Sequence, residues 1–96
     1  ILKGDAGNDQ LWGGEGDDLF IFADGDGQDQ INDFQVGAGT DDAIDLSNHS
    51  SANDFTSVQT AATQVGADTL IDLGSGDQIS LIGVNVNDLH QDDFLF

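Results

Sequence analysis

Residues 4–18 read Gly4-Asp5-Ala6-Gly7-Asn8-Asp9-Gln10-Leu11-Trp12-Gly13-Gly14-Glu15-Gly16-Asp17-Asp18. With Leu19, Phe20 and Ile21 they hold two copies of one nine-residue unit, Gly4–Trp12 and Gly13–Ile21. Both fit the pattern G-G-x-G-x-D-x-U-x, where U is apolar, and the one departure is Asp5 in place of the second glycine. Glycines at units 2 and 4 open left-handed backbone conformations that other residues avoid. With no side chains in the way, the carbonyl oxygens of such turns can converge on one centre, and the aspartate at unit 6 adds a short anionic oxygen. Hard oxygens in a flexible turn suit Ca2+ better than Zn2+ or Mg2+. The x-U-x triplet continues as a short strand with one side chain facing inward. Two units make one coil, so each loop stacks on the loop two units away. The spacing of nine predicts that Leu2, Leu11 and Phe20 stack in the coil interior.

Working outward, Asp24–Asn32 is a third copy, with Gly25, Gly27, Asp29 and Ile31 at units 2, 4, 6 and 8 after a two-residue insertion. Residues 37–41 (GAGTD) suggest a fourth, with one extra residue before Ile44. Such decay suits the capped end of a solenoid. Leu19-Phe20-Ile21-Phe22 is apolar on both strand faces, which predicts a cover supplied by the downstream half. Ile44–Ser47, Thr69–Leu73 and Gln78–Ile82 read as strands, the last two joined through Gly74-Ser75-Gly76. Cap residues before Phe55, then Phe55, Val58 and Ala62 at helical spacing, predict one short helix. Asp24-x-Asp26 is not an EF-hand loop, because Gln35 stands where a bidentate glutamate is needed.

The expected fold is therefore all-β. Parallel β-roll (β-helix) coils lie on the N-terminal side, over residues 1–34. A β-rich segment with one short helix, residues 35–96, caps them. The chain does not open on Met and shows no amino-terminal signal peptide, which predicts a fragment with further coils upstream.

Composition points the same way. There are eighteen aspartates and one glutamate, Glu15, a bias toward the shorter side chain that turns and ligands prefer. A formal charge of −18 on 96 residues repels itself and predicts poor folding without cations. Lys3 is the only basic residue, so nucleic acid and an anionic membrane surface are poor partners, and no membrane insertion is expected. With no cysteine to staple a small core, metal is the expected substitute.

The chain resembles the carboxy-terminal end of an RTX protein, of the kind that ends serralysin-type metalloproteases, alginate epimerases and large secreted adhesins. The resemblance runs through GGEGDDLFIF, GDGQDQINDF, IDLS, DTLIDLGSGDQISLIGV and DDFLF, in that order. It implies a secreted bacterial protein that binds Ca2+ between loops on one side of a roll. One ion would lie between the first and third units, held by the carbonyls of Asp5 and Gly7, the Asp9 carboxylate, and oxygens of Asp24, Asp26 and Asp29. Gly14, Gly16 and Asp18 would do the same against the fourth unit, while Gly4, Ala6, Gly13 and Glu15 would offer carbonyls to an upstream coil. The terminal Asp93-Phe94-Leu95-Phe96 resembles the uncleaved tail read by a type I (ABC-transporter) secretion apparatus, placed at the very end of the chain rather than inside the roll. The same residues also read as an ordinary buried final strand, and both readings can hold, since a signal read in the unfolded chain can become a strand once folded.

An enzyme reading finds little support. His49 and His90 are the only histidines and neither lies in an H-E-x-x-H motif. There is no Cys or Tyr, and Asp41-Asp42 are adjacent carboxylates that flank nothing. The expected function is a non-catalytic calcium-dependent folding and export module. The alternative is the end-domain of an adhesin or polysaccharide-modifying enzyme that also binds a surface or polymer, although one lysine argues against an anionic polymer. Trp12 is expected to pack under the cap rather than stack on a ligand.

Overall fold

The computed structural model describes residues 2–3, 7–13, 18–34, 42–49, 54–74 and 76–96. It is mostly β, with one short α-helix. In chain order the strands are β1 (Leu2–Lys3), β2 (Gln10–Leu11), β3 (Leu19–Ala23), β4 (Gln28–Ile31) and β5 (Ala43–Asn48). Then come α1 (Phe55–Ala61), β6 (Ala62–Val65), β7 (Asp68–Gly74), β8 (Asp77–Leu81) and β9 (Phe94–Leu95).

The strands form two sheets, ordered β1-β3-β5-β9 and β2-β4-β8-β7-β6. The first is wholly parallel, and β2, β4 and β8 of the second are parallel too. Successive strands β1 to β5 therefore alternate between the sheets, as nine-residue units with one strand each require. The register follows the repeat. Leu2 pairs with Phe20, and Leu11 with Ile31. Leu11 therefore lies in the other sheet from Leu2 and Phe20. Both sheets also take strands from beyond residue 34.

The inward unit-8 residues Leu11, Phe20, Ile31 and Ile44 join Ile79, Leu81 and Phe94 in one buried cluster. Phe20 and Phe34 meet edge to edge at 5.9 Å. Leu19 and Ile21 stay half-buried, so the expected cover over their face is incomplete. Part of the downstream half instead extends sheets edgewise, with β9 on the far side of β5.

Between β5 and β8 the chain inserts α1 and the hairpin β6–β7. Asp54 caps α1 with its carboxylate on the Ser57 N–H at 2.8 Å, which holds that carboxyl below its usual range. Val58 is buried beneath the helix, and Ala62 opens β6 instead of continuing α1. Strand β6 was not expected. It pairs antiparallel with β7 through a two-residue turn at Gly66-Ala67, where Gly66 has φ +62°.

One expectation is corrected. Trp12 is 58% exposed and does not pack under a cap. It follows inward Leu11, so alternation along the strand carries it to the outer face. The tail is a strand of the fold. Phe94 pairs with Ile44 in the first sheet, packs on Phe55 and is buried. Asp93 is fully buried, and its carboxylate accepts the His90 N–H at 2.8 Å in a capping box before β9.

Candidate metal centre

The loop glycines set up the site. Gly7, Gly25 and Gly27 all have positive φ, which the repeat pattern anticipates. Gly27 also abuts its counterpart one coil away, because a Cβ there would lie 2.8 Å from the Gly7 carbonyl oxygen. At Gly13 a side chain would collide with the Asp18 carboxylate. These are turns in which only glycine leaves room for a neighbouring oxygen.

Onto this frame the first and third units stack with an offset of twenty residues. The Asn8 side chain accepts the Gln28 N–H, the Asp29 carboxylate accepts the Asp9 N–H at 3.1 Å, and Asp33 accepts the Gly13 N–H at 2.8 Å. Asp9 and Asp29 are thus neighbours at unit 6 of stacked loops. The second ladder repeats the arrangement, with the Asp18 N–H donating to Asp42 at 3.2 Å. Asp42 was not singled out as a site residue, since the extra residue before Ile44 blurred the fourth unit. The signal was nonetheless present: Asp42 stands two residues before Ile44 as Asp18 stands two before Phe20, and Phe20 pairs with Ile44.

The electrostatics of these pairs are unbalanced. The Oδ2 atoms of Asp9, Asp18 and Asp29 are buried and have no hydrogen-bond partner among the described residues. Asp29 is 3% exposed. Burial, followed by the charges of Asp9 and Asp26, pushes its carboxyl up to about 7, against the lowering effect of the Asp9 N–H. Buried anionic oxygens facing one another without a donor fit a cation with oxygen ligands.

The other expected ligands divide. Asp26 accepts the Ala23 N–H at 2.8 Å and stands near enough to Asp29 to raise it. Asp24 lies instead against His49, with Oδ1 3.3 Å from Nδ1. Gly4, Asp5, Ala6, Gly14, Glu15 and Gly16 lie outside the described residues, as does the stretch 35–41.

His49 and Asp77 were not foreseen as a site. In β3–β5 the register shifts by one residue after Ile21–Asp45, so that Ala23 pairs with Asn48. The His49 N–H then closes a turn onto the Leu46 carbonyl at 2.9 Å. The bulge and turn accompany an inward His49, 4% exposed. Its Nε2 is 3.0 Å from Asp77 Oδ2. Asp77 also accepts the Gly25 and Gly27 N–H groups at 3.0 and 3.1 Å. The Gly25 N–H, with help from Gly27 and His49, holds the Asp77 carboxyl below its usual range despite burial.

No protein-family model matches the sequence, and no curated protein matches it. Among solved structures, the chain is similar to the extracellular lipase LipA from Serratia marcescens, at 27% identity and a TM-score of 0.65. The similarity covers 99% of this chain and 17% of that one, so this chain spans only a small part of its neighbour's length.

Proposed function

We propose that this chain is a calcium-binding RTX module, a parallel β-roll that folds on Ca2+ outside the cell. The observation that carries the reading is the pair of carboxylate ladders, Asp9 with Asp29 and Asp18 with Asp42, in which the buried Oδ2 atoms of Asp9, Asp18 and Asp29 have no hydrogen-bond partner among the described residues. Calcium would supply charge neutralisation and accept carboxylate and carbonyl oxygens together. Asp9, Asp29 and the Gly7 carbonyl would hold one ion, and Asp18 and Asp42 a second. Asp26 would add negative potential behind Asp29. The similarity to an extracellular lipase supports a secreted protein. Catalysis, if the parent protein has any, is assigned to residues outside this chain.

In this reading the low free calcium of the cytosol leaves the charge of −18 uncompensated and the chain unfolded, able to thread a type I secretion apparatus. Extracellular calcium modules bind with Kd of about 10⁻⁴–10⁻³ M, so millimolar calcium outside fills the loops and stabilises the fold by mass action. Circular dichroism tests this directly. A largely disordered spectrum is expected in chelator and a β spectrum in millimolar Ca2+, and identical spectra would sink the proposal.

A second reading, attachment to a neutral polymer, is favoured by the outer face of the second sheet. A polar cleft of about 210 Å³ there is lined by Gln10, Gln28, Gln30 and Gln78, next to the Asp9 and Asp29 carboxylates of the first ladder, and Trp12 is exposed one alternation beyond Gln10. Amides and a bare indole suit hydroxyl groups and a sugar face. Tryptophan fluorescence titrated with neutral oligosaccharides should shift, and an unchanged emission would discard this reading.

A further inference from the structure

A different cation chemistry is written into the cluster around His49. Asp77 is an acceptor only, and it already receives two backbone N–H groups from the turn at Gly25–Gly27. Its 3.0 Å contact with His49 therefore requires a proton on Nε2. A neutral imidazole carries one N–H, so Nδ1 then presents a lone pair. That lone pair meets Asp24 Oδ1 at 3.3 Å, an acceptor facing an acceptor. Something positive belongs between them: a second proton on the ring, or a metal ion.

The geometry points to the ion, and we infer that Asp24 and His49 form a binding site for a divalent first-row transition ion of the zinc class, with Asp77 as the positioning residue. Two ligands of a tetrahedral zinc ion, each about 2.0–2.1 Å from it, stand roughly 3.3 Å apart. The observed Nδ1–Oδ1 separation is 3.3 Å. A carboxylate behind the far ring nitrogen is the usual way a metal-binding histidine is fixed in tautomer and orientation. Asp77 supplies it, itself anchored by the backbone. Asp24 is 56% exposed at its side chain, so water can complete the coordination shell. Imidazole nitrogen selects zinc, copper or nickel over calcium, which separates this site from the all-oxygen ladders. The site also joins three distant pieces of chain: the β3–β4 turn, the end of β5 and the start of β8. It goes beyond the calcium reading and does not depend on it.

The test is calorimetric titration of the untagged chain with Zn2+, in excess Ca2+ to keep the carboxylate ladders occupied. One zinc site is expected. Asp24→Asn, an exposed change, should weaken it at least tenfold, and His49→Gln should abolish it. Asp77→Asn should cost about 10–100-fold, as loss of an orienting partner does. His90→Gln should leave it intact. Circular dichroism in calcium establishes that each variant is folded. Should His49→Gln misfold, Asp24→Asn decides alone. No zinc uptake by the parent chain, or uptake that Asp24→Asn leaves unchanged, would overturn the inference and assign the second ring nitrogen a proton.

Discussion

Replacing Asp29 by asparagine should reverse sign between chelator and calcium. Burial and neighbouring carboxylates raise the Asp29 carboxyl from 3.8 to about 7 in the fold. That difference corresponds to roughly 4 kcal/mol against the folded anion at pH 8. Domain stabilities run about 5–15 kcal/mol, so this single charge consumes a large share. The sign follows from linkage: a carboxyl raised in the fold favours folding while protonated. Its contribution is complete below pH 3.8 and is lost as pH rises through about 7. Metal-free protein should therefore gain structure on acidification from pH 8 to 5. The lowered carboxyls of Asp54 and Asp77 remain ionised in that window and do not offset the gain. In Asp29→Asn the amide can still accept the Asp9 N–H and can donate to the buried Asp9 Oδ2, so no polar atom is newly stranded. In chelator at pH 8 the variant should be more stable than the parent, by at most roughly 4 kcal/mol, and its pH 5–8 dependence should flatten. In calcium at a hundred times Kd the parent gains about 2.7 kcal/mol by mass action, and the variant, short of one anionic ligand, should gain less. The β content by circular dichroism between pH 5 and 8 reads the two proteins in chelator, and urea titrations read them in calcium. A variant less stable than the parent in chelator, or with an undiminished calcium gain, would refute the reasoning.

Three further outcomes are expected. Asp18→Ala and Asp42→Ala should each weaken calcium binding, and the double variant should fall short of their sum, because both act on one ion; calorimetry of the cycle checks this. Gly27→Ala should lower stability by about 2 kcal/mol or more, visible in the urea midpoint, since it meets a positive φ and the Gly7 carbonyl at once. Removing Phe94–Phe96 deletes β9 and a buried phenylalanine, so it should cost about 3–5 kcal/mol in calcium as well as blocking secretion, measured by denaturation and by supernatant yield.

The repeat units were legible because each encodes its own turn and strand. The spacing of nine taken twice pairs Leu2 with Phe20, whereas Leu11 pairs with Ile31 in the other sheet, and Gly25–Ile31 marked the third unit despite its insertion. Asp42 escaped because the glycine pattern had decayed around it, although the spacing of an aspartate two before an inward residue persisted through Asp9, Asp18, Asp29 and Asp42. The His49 cluster had no local signature at all. Its three members lie 25 and 28 residues apart, and His49 faces inward at a one-residue bulge that strand alternation alone cannot anticipate. Strand β6 escaped for a related reason: Ala62 fits helical spacing after Val58, yet Gly66 turns the chain back and pairing with β7 decides the outcome.

The first strands pair residues 18 to 25 apart, as in Leu2 with Phe20 and Ala23 with Asn48. Beyond them the offset jumps to fifty in both sheets, Gln28 with Gln78 and Ile44 with Phe94. Closing a longer loop costs more entropy, though only logarithmically, so β8 and β9 gain most from an already ordered template. In the proposed calcium-driven folding, the carboxylate ladders order β2–β5 first, and β9 docks on β5 afterwards. All four last residues are then exposed while the chain is unfolded, and Asp93 and Phe94 are buried once it is folded, with Leu95 paired in the sheet. A recognition signal and a closing strand can therefore occupy the same four residues without conflict, because each role belongs to a different state of the chain.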